Sequence, residues 1–202
     1  KYLMQNKKLS GKAKLSFVYQ EEALGIAHSI AICKHLVKNE PFVVALPDLP
    51  TIAKVPVIKQ LIRLFEKEKG KAHFVSFDKF SSESLHLYGE CLVKPKGAGI
   101  LEIIHFCKKV NGENRPHHYG NGLRMSGRFV FTPKIFSIID KLLKEQVEEV
   151  SDRSALRAAM ADGQQIFGYV ISGHTYDTGY PSGYVRANTA FFKKLLAKKV
   201  LT

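Results

Sequence analysis

Cysteine is scarce in this chain: Cys33, Cys91 and Cys107 stand far apart, odd in number and outside any CxxC spacing. That argues against a disulfide framework or a zinc knuckle, and buried thiols are the simpler reading. No apolar run approaches the roughly 18 to 20 residues that a membrane span needs. The first six residues have none of the charged, apolar and small-residue parts of a secretory leader, so the expected location is the cytoplasm. Neither an internal repeat nor a low-complexity linker interrupts the chain, and one domain over residues 1–202 is expected.

Acidic residues are also few. Against 31 Lys and Arg stand 18 Asp and Glu, a formal charge of +13. Nucleic acid is the first partner such a charge suggests, yet the cations are spread over every segment, with no RNA-binding aromatic signature and no Cys/His finger beside them. A solvated basic surface that attracts phosphorylated small molecules accounts for the same count. With 45% hydrophobic residues, the 202-residue chain is long enough to bury one core.

The patterning is that of an α/β protein. Strands are expected at 14–19, 42–46, 73–77, 92–94, 100–106, 127–131 and 165–171, and helices at 21–38, 57–69, 151–161 and 182–199. Thr132 and Pro133, a capping residue and a first-turn proline, open a further helix that turns Ile135, Phe136, Ile139 and Leu142 inward. KPKGAG joins two antiparallel strands, and residues 81–87 and 111–122 are loops. Early in the chain the order strand, helix, strand, helix is the βαβ rhythm.

The stretch FVVALPDLP, residues 42–50, poses the functional question. Its apolar run reads as a strand buried on both faces, ending at an acid between two prolines. Asp48 therefore stands at the rim of a sheet, where α/β proteins keep their ligands, although a turn or cap role is the plainer alternative.

Four segments in order, VYQEEALGIAHSI (18–30), VVALPD (43–48), SGRFVFTPKIF (126–136) and HTYDTGYPSGYVRAN (174–188), resemble the bacterial UTP:glucose-1-phosphate uridylyltransferases, within the sugar-nucleotide nucleotidyltransferases. The resemblance implies a Rossmann-like mixed sheet flanked by helices, of the nucleotide-diphospho-sugar transferase type, of which this chain is the C-terminal two thirds. It implies that glucose 1-phosphate attacks the α-phosphorus of UTP, giving UDP-glucose and pyrophosphate, with Mg²⁺ as cofactor. Asp48 matches the aspartate that holds the metal, and Asp177 of TYDTG matches a second one near it. A hard cation that keeps several waters asks for one or two carboxylates, with phosphate oxygens completing its shell. Gln20 and Gly25 match the uracil contacts: an amide both donates and accepts along a uracil edge, and a residue without Cβ lets a base lie against backbone. His28 matches the family's helix histidine or is satisfied within the core. Tyr88 and Gly89 fit the YG before a sugar-side strand, and Lys108 matches a lysine that meets the sugar phosphate.

The match has gaps. The acid of the family's Glu-Lys-Pro falls on Cys107, and a thiol cannot accept two sugar hydroxyls, which leaves the preferred sugar open. Glu149 survives from the EIQLTDAI helix as a candidate sugar contact. His117 and His118 lack a third metal ligand. No segment matches the family's GxGTR phosphate loop, so the expectation is that these 202 residues alone turn over little, and that an exposed sheet edge favours association with a second copy. The rival readings are a non-catalytic nucleotide-sugar-binding relative and, more remotely, a nucleic-acid-binding domain.

Overall fold

The computed structural model describes residues 11–79, 91–106, 123–145 and 149–199. Its elements follow the order α1 (Ile26–Ile32), α2 (Lys34–Val37), β1 (Phe42–Ala45), β2 (Thr51–Ile52), α3 (Val57–Lys67), β3 (His73–Lys79), β4 (Cys91–Gly97), β5 (Ile100–Phe106), β6 (Leu123–Phe131), α4 (Ile135–Glu145), α5 (Asp152–Ala161), β7 (Ile166–Val170), β8 (His174–Thr175) and α6 (Pro181–Lys199). Six strands form one sheet ordered β1-β6-β3-β7-β5-β4, while β2 and β8 make a separate two-stranded ladder. β3 and β7 pair in parallel. β6 is antiparallel to both β1 and β3, so β1, β3 and β7 run the same way and their carboxyl ends share one rim.

The alternation of β3 divides the core. Val75 and Phe77 face α1, α4 and α5, where Ala27, Ile30, Ile135, Ile139 and Leu156 close the layer. Phe74 points to the other face, where Val57 and Leu61 of α3 cover it together with Val130 and Phe167. Period two along the strand thus feeds two helix layers. α3 ends where Gly70 adopts a left-handed φ of 68°, and Ser151 caps α5 by accepting the amide of Ser154 at 3.1 Å.

The helix-flanked mixed sheet agrees with the expected fold class, and most elements fall within two or three residues of expectation. Four differences have physical causes. No strand forms at 14–19: Leu15, Phe17 and Tyr19 are 60%, 92% and 84% exposed, and no described strand lies beside them to take up their backbone groups. β1 is half-buried and ends the sheet, where burial on both faces was expected, because β6 alone pairs with it among the described strands. The helix expected over 21–38 begins only after Gly25, whose φ is 93°, breaks at Cys33, and ends at Lys38 in a left-handed conformation. β2 and β8, two residues each, are too short to show a period.

Candidate functional site

β1 ends at Ala45, and the chain turns through Leu46–Pro50 with Asp48 exposed at the tip. The carbonyl oxygen of Asp48 accepts two bonds from Thr178, one from its amide and one from its hydroxyl, each 2.9 Å. Beside it the Tyr176 amide donates to the Pro50 carbonyl at 2.9 Å, and the β2–β8 ladder sets Thr51 opposite Thr175 with their hydroxyls 3.1 Å apart. This short zip brings two acid-bearing segments, distant in sequence, to the shared carboxyl rim of β1, β3 and β7, the place where open α/β sheets take ligands. Asp177 is half-buried and its Oδ1 accepts the Gly179 amide at 2.9 Å, a turn in the loop ahead of α6.

A second layer holds the zip from beneath. Asp78 near the end of β3 is 4% exposed, and its Oδ2 accepts the Thr175 amide at 2.7 Å, with His174 Nδ1 at 3.5 Å. Arg124, opposite Asp78 in the β3–β6 register, donates from Nη2 to the Thr175 carbonyl at 2.5 Å. Both backbone groups of the buried Thr175 are thereby paired by charged side chains, the stronger kind of hydrogen bond. Sequence reasoning passed over this pair. Its one signal was a charged residue, Asp78, at the end of an otherwise apolar buried run.

At the start of α1 the residues expected at the base form a web. Gln20 Nε2 donates to the Gly25 carbonyl at 3.2 Å and to His28 Nδ1 at 3.0 Å, while Gln20 Oε1 accepts the Ser29 hydroxyl at 2.8 Å. The donor at Nδ1 is an amide, so that ring nitrogen of His28 accepts. A Cβ built on Gly25 would come 2.6 Å from both Glu149 Cγ and the Val150 carbonyl oxygen. The space that glycine leaves here admits the segment before α5, so Glu149 joins Gln20, Gly25 and His28. The Ala27 amide and the Leu24 carbonyl then bond the backbone of Val150, at 3.1 and 2.9 Å.

A groove of about 550 Å³ runs between α1 and β1, from Ser29 at the web to Pro47 beside Asp48, with Ile30, Cys33, Phe42 and Leu46 along it. Its lining is apolar, so burying a phosphate charge within it is costly. No cluster of three or more His, Cys, Asp or Glu able to hold a metal occurs among the described residues. Two carboxylates on neighbouring loops fit a magnesium-type cation that draws its other oxygens from water and phosphate, and do not fit a closed zinc site. Tyr88, Gly89 and Lys108 lie outside the described residues, as do Cys107, His117 and His118.

Three comparisons bear on this arrangement. The profile of the family described as Nucleotidyl transferase matches residues 1–194. The chain is 29% identical over 182 residues, 90% of its length, to a UTP--glucose-1-phosphate uridylyltransferase of Staphylococcus epidermidis. It is 26% identical over 185 residues, 92% of its length, to one of Bacillus subtilis. It spans 61% of the length of each of these relatives. Among solved structures, it is similar to a UDP-glucose pyrophosphorylase complexed with UDP-glucose at 29% identity and a TM-score of 0.82, over 96% of this chain and 71% of that one.

Proposed function

Because the chain belongs to the nucleotidyl transferase family, we propose that residues 1–202, acting as one domain, serve the transfer of a uridylyl group from UTP to glucose 1-phosphate. A phosphate oxygen of glucose 1-phosphate forms the new bond to the α-phosphorus of UTP. The bond from that phosphorus to the bridging oxygen breaks, and pyrophosphate leaves with the electron pair. Two of the similar proteins carry the name of this activity, and a similar solved structure holds UDP-glucose.

The observation that carries the reading is the pair of bonds from Thr178 to the Asp48 carbonyl, which sets the Asp48 and Asp177 loops side by side at the sheet rim. Asp48 and Asp177 are the residues that would hold Mg²⁺. Bound there, Mg²⁺ would neutralise phosphate charge, the main demand of phosphoryl transfer. Gln20 serves the uracil edge through Oε1: both Nε2 hydrogens are taken by Gly25 and His28, and the lone pair left beside the Ser29 bond accepts a uracil N–H. Glu149, exposed next to Gly25, would accept sugar hydroxyls in this reading. Tyr88, Gly89 and Lys108 complete the sugar and phosphate contacts in this proposal. No described helix is long and apolar enough to cross a membrane, and a cytoplasmic enzyme accords with such substrates.

Calorimetry tests the reading. The protein should bind UDP-glucose more tightly with Mn²⁺ than with a chelator, and Asp48→Asn should remove the metal-dependent gain while leaving a folded chain. Equal affinity with and without metal, or an Asp48→Asn variant that keeps the gain, would overturn it.

A further inference from the structure

The segment Ser126–Arg128 interrupts β6 at its middle. Phe129 pairs with Val75 and Met125 with Phe77, so three residues of β6 stand against one of β3, a bulge centred on Ser76. Ser76 holds the bulge in place: its hydroxyl oxygen accepts the Ser126 hydroxyl at 2.6 Å and the Arg128 amide at 3.0 Å. Gly127 has a left-handed φ of 67°, and a Cβ there would meet Leu49 Cδ1 at 2.5 Å and Leu46 Cβ at 3.1 Å. Its missing side chain is what lets the Asp48 loop lie against β6, and its carbonyl accepts the Leu46 amide at 2.9 Å.

The bulge turns the Arg128 guanidinium onto that loop. Nη1 donates to the carbonyls of Leu46 at 3.0 Å and Gly127 at 3.1 Å, with Ser126 at 3.4 Å, and Nη2 donates to Leu49 at 2.8 Å. One planar fork therefore ties the residue two before Asp48 to the residue after it. Thr178 grips the Asp48 carbonyl as well, and Asp48 is exposed. All these bonds fall on backbone.

The geometry points to Arg128 as a positioning residue, which fixes the direction in which Asp48 presents its carboxylate to a metal-bound nucleotide phosphate. The inference rests on the reading of Asp48 as a cation ligand and adds to it the means by which an exposed loop acid is held still. A rigid fork bridging two carbonyls is a property of arginine; a lysine ammonium is a point charge and cannot span both. Burial pushes the Arg128 pKa down from its usual value and the charge of Asp48 opposes that, in keeping with a guanidinium beside the loop. Groups that orient metal ligands in this way typically change metal affinity by about 10–100-fold when removed.

The test uses the full 202-residue chain with Arg128→Lys, Arg128→Met and Arg128→Gln, all measured well below their melting temperatures. The readout is the Mn²⁺ concentration that half-saturates metal-dependent UDP-glucose binding, joined by hydrogen exchange at the amides of Asp48 and Leu49. Expected are a midpoint raised about tenfold in Lys as much as in Met, and faster exchange at those two amides. A merely structural role lowers the melting temperature and leaves the midpoint where it was. Arg128→Gln, which retains a donor for one carbonyl, keeps the measurement open where another variant fails to fold. Variants with the wild-type midpoint overturn the role of Arg128 alone. A wild-type protein with no metal-dependent binding overturns the proposed function, and this inference with it.

Discussion

The amide of Thr132 donates to Nδ1 of His73 at 3.1 Å, and that bond decides the state of the histidine. Nδ1 must accept, so Nε2 carries the proton and donates to Gln164 Oε1 at 2.7 Å. His73 is 1% exposed. Burial lowers its pKa from 6.5, the Gln164 bond raises it, and Lys134 lowers it further. Between the depressed folded pKa and 6.5 the unfolded chain binds a proton that the folded chain does not. Stability therefore falls as pH drops below that value and is recovered as pH rises through it. Urea unfolding at a series of pH values checks this, and His73→Gln should flatten the dependence attributable to this group.

Asp78 supports the site from within the sheet. Removing its carboxylate in Asp78→Ala strands the amide of Thr175, which is 0% exposed and has no water to turn to. A loss of about 1–3 kcal/mol is expected from an unpaired buried donor, read as a lower urea midpoint. A wild-type midpoint would count against the bond as drawn.

At the start of α6 a Cβ on Gly183 would collide with the carbonyl oxygen of Asp177. Backbone cannot swing aside as a side-chain end can, so Gly183→Ala should cost about 1–3 kcal/mol as an overpacked site and displace the Asp177 turn. Gly97→Ala offers a contrast: nothing lies within 4 Å of its Cβ, and only the positive φ of 94° opposes it. Thermal melts of the two variants should rank Gly183→Ala as the more damaging.

Phe17 and Tyr19 are 92% and 84% exposed on a segment without a described strand partner, and β1 ends the sheet among the described strands. Exposed apolar side chains and an end strand each favour self-association. Light scattering with size-exclusion chromatography should show mass rising with concentration, and Phe17→Ser with Tyr19→Ser should reduce it. A concentration-independent monomer would remove the association expected from the sequence.

Much of the fold was legible because helix and strand periods are local. The short β-branched and aromatic run HFVSF, the stripe of Leu61 and its neighbours, and the Thr132–Pro133 start each declare themselves within a few residues. The failures share a cause. Lys14–Tyr19 has the alternation of a strand, but a strand exists only where a neighbour bonds its backbone. FVVALPDLP reads as buried on both faces, whereas its depth depends on how many strands flank it.

By itself the chain determined which residue types could serve: an acid at a strand's end, a second in TYDTG, an amide and a glycine before a helix. Those are choices of chemistry, and chemistry is carried by single residues and short patterns. Only the tertiary structure decided which of them meet. The β2–β8 ladder that joins the loops of Asp48 and Asp177, the Asp78–Arg124 hold on Thr175 and the Arg128 fork all link residues about fifty or more positions apart. Bonds of that span have no period to show in advance, because they exist only once two helix layers have closed on the sheet and brought its ends into register.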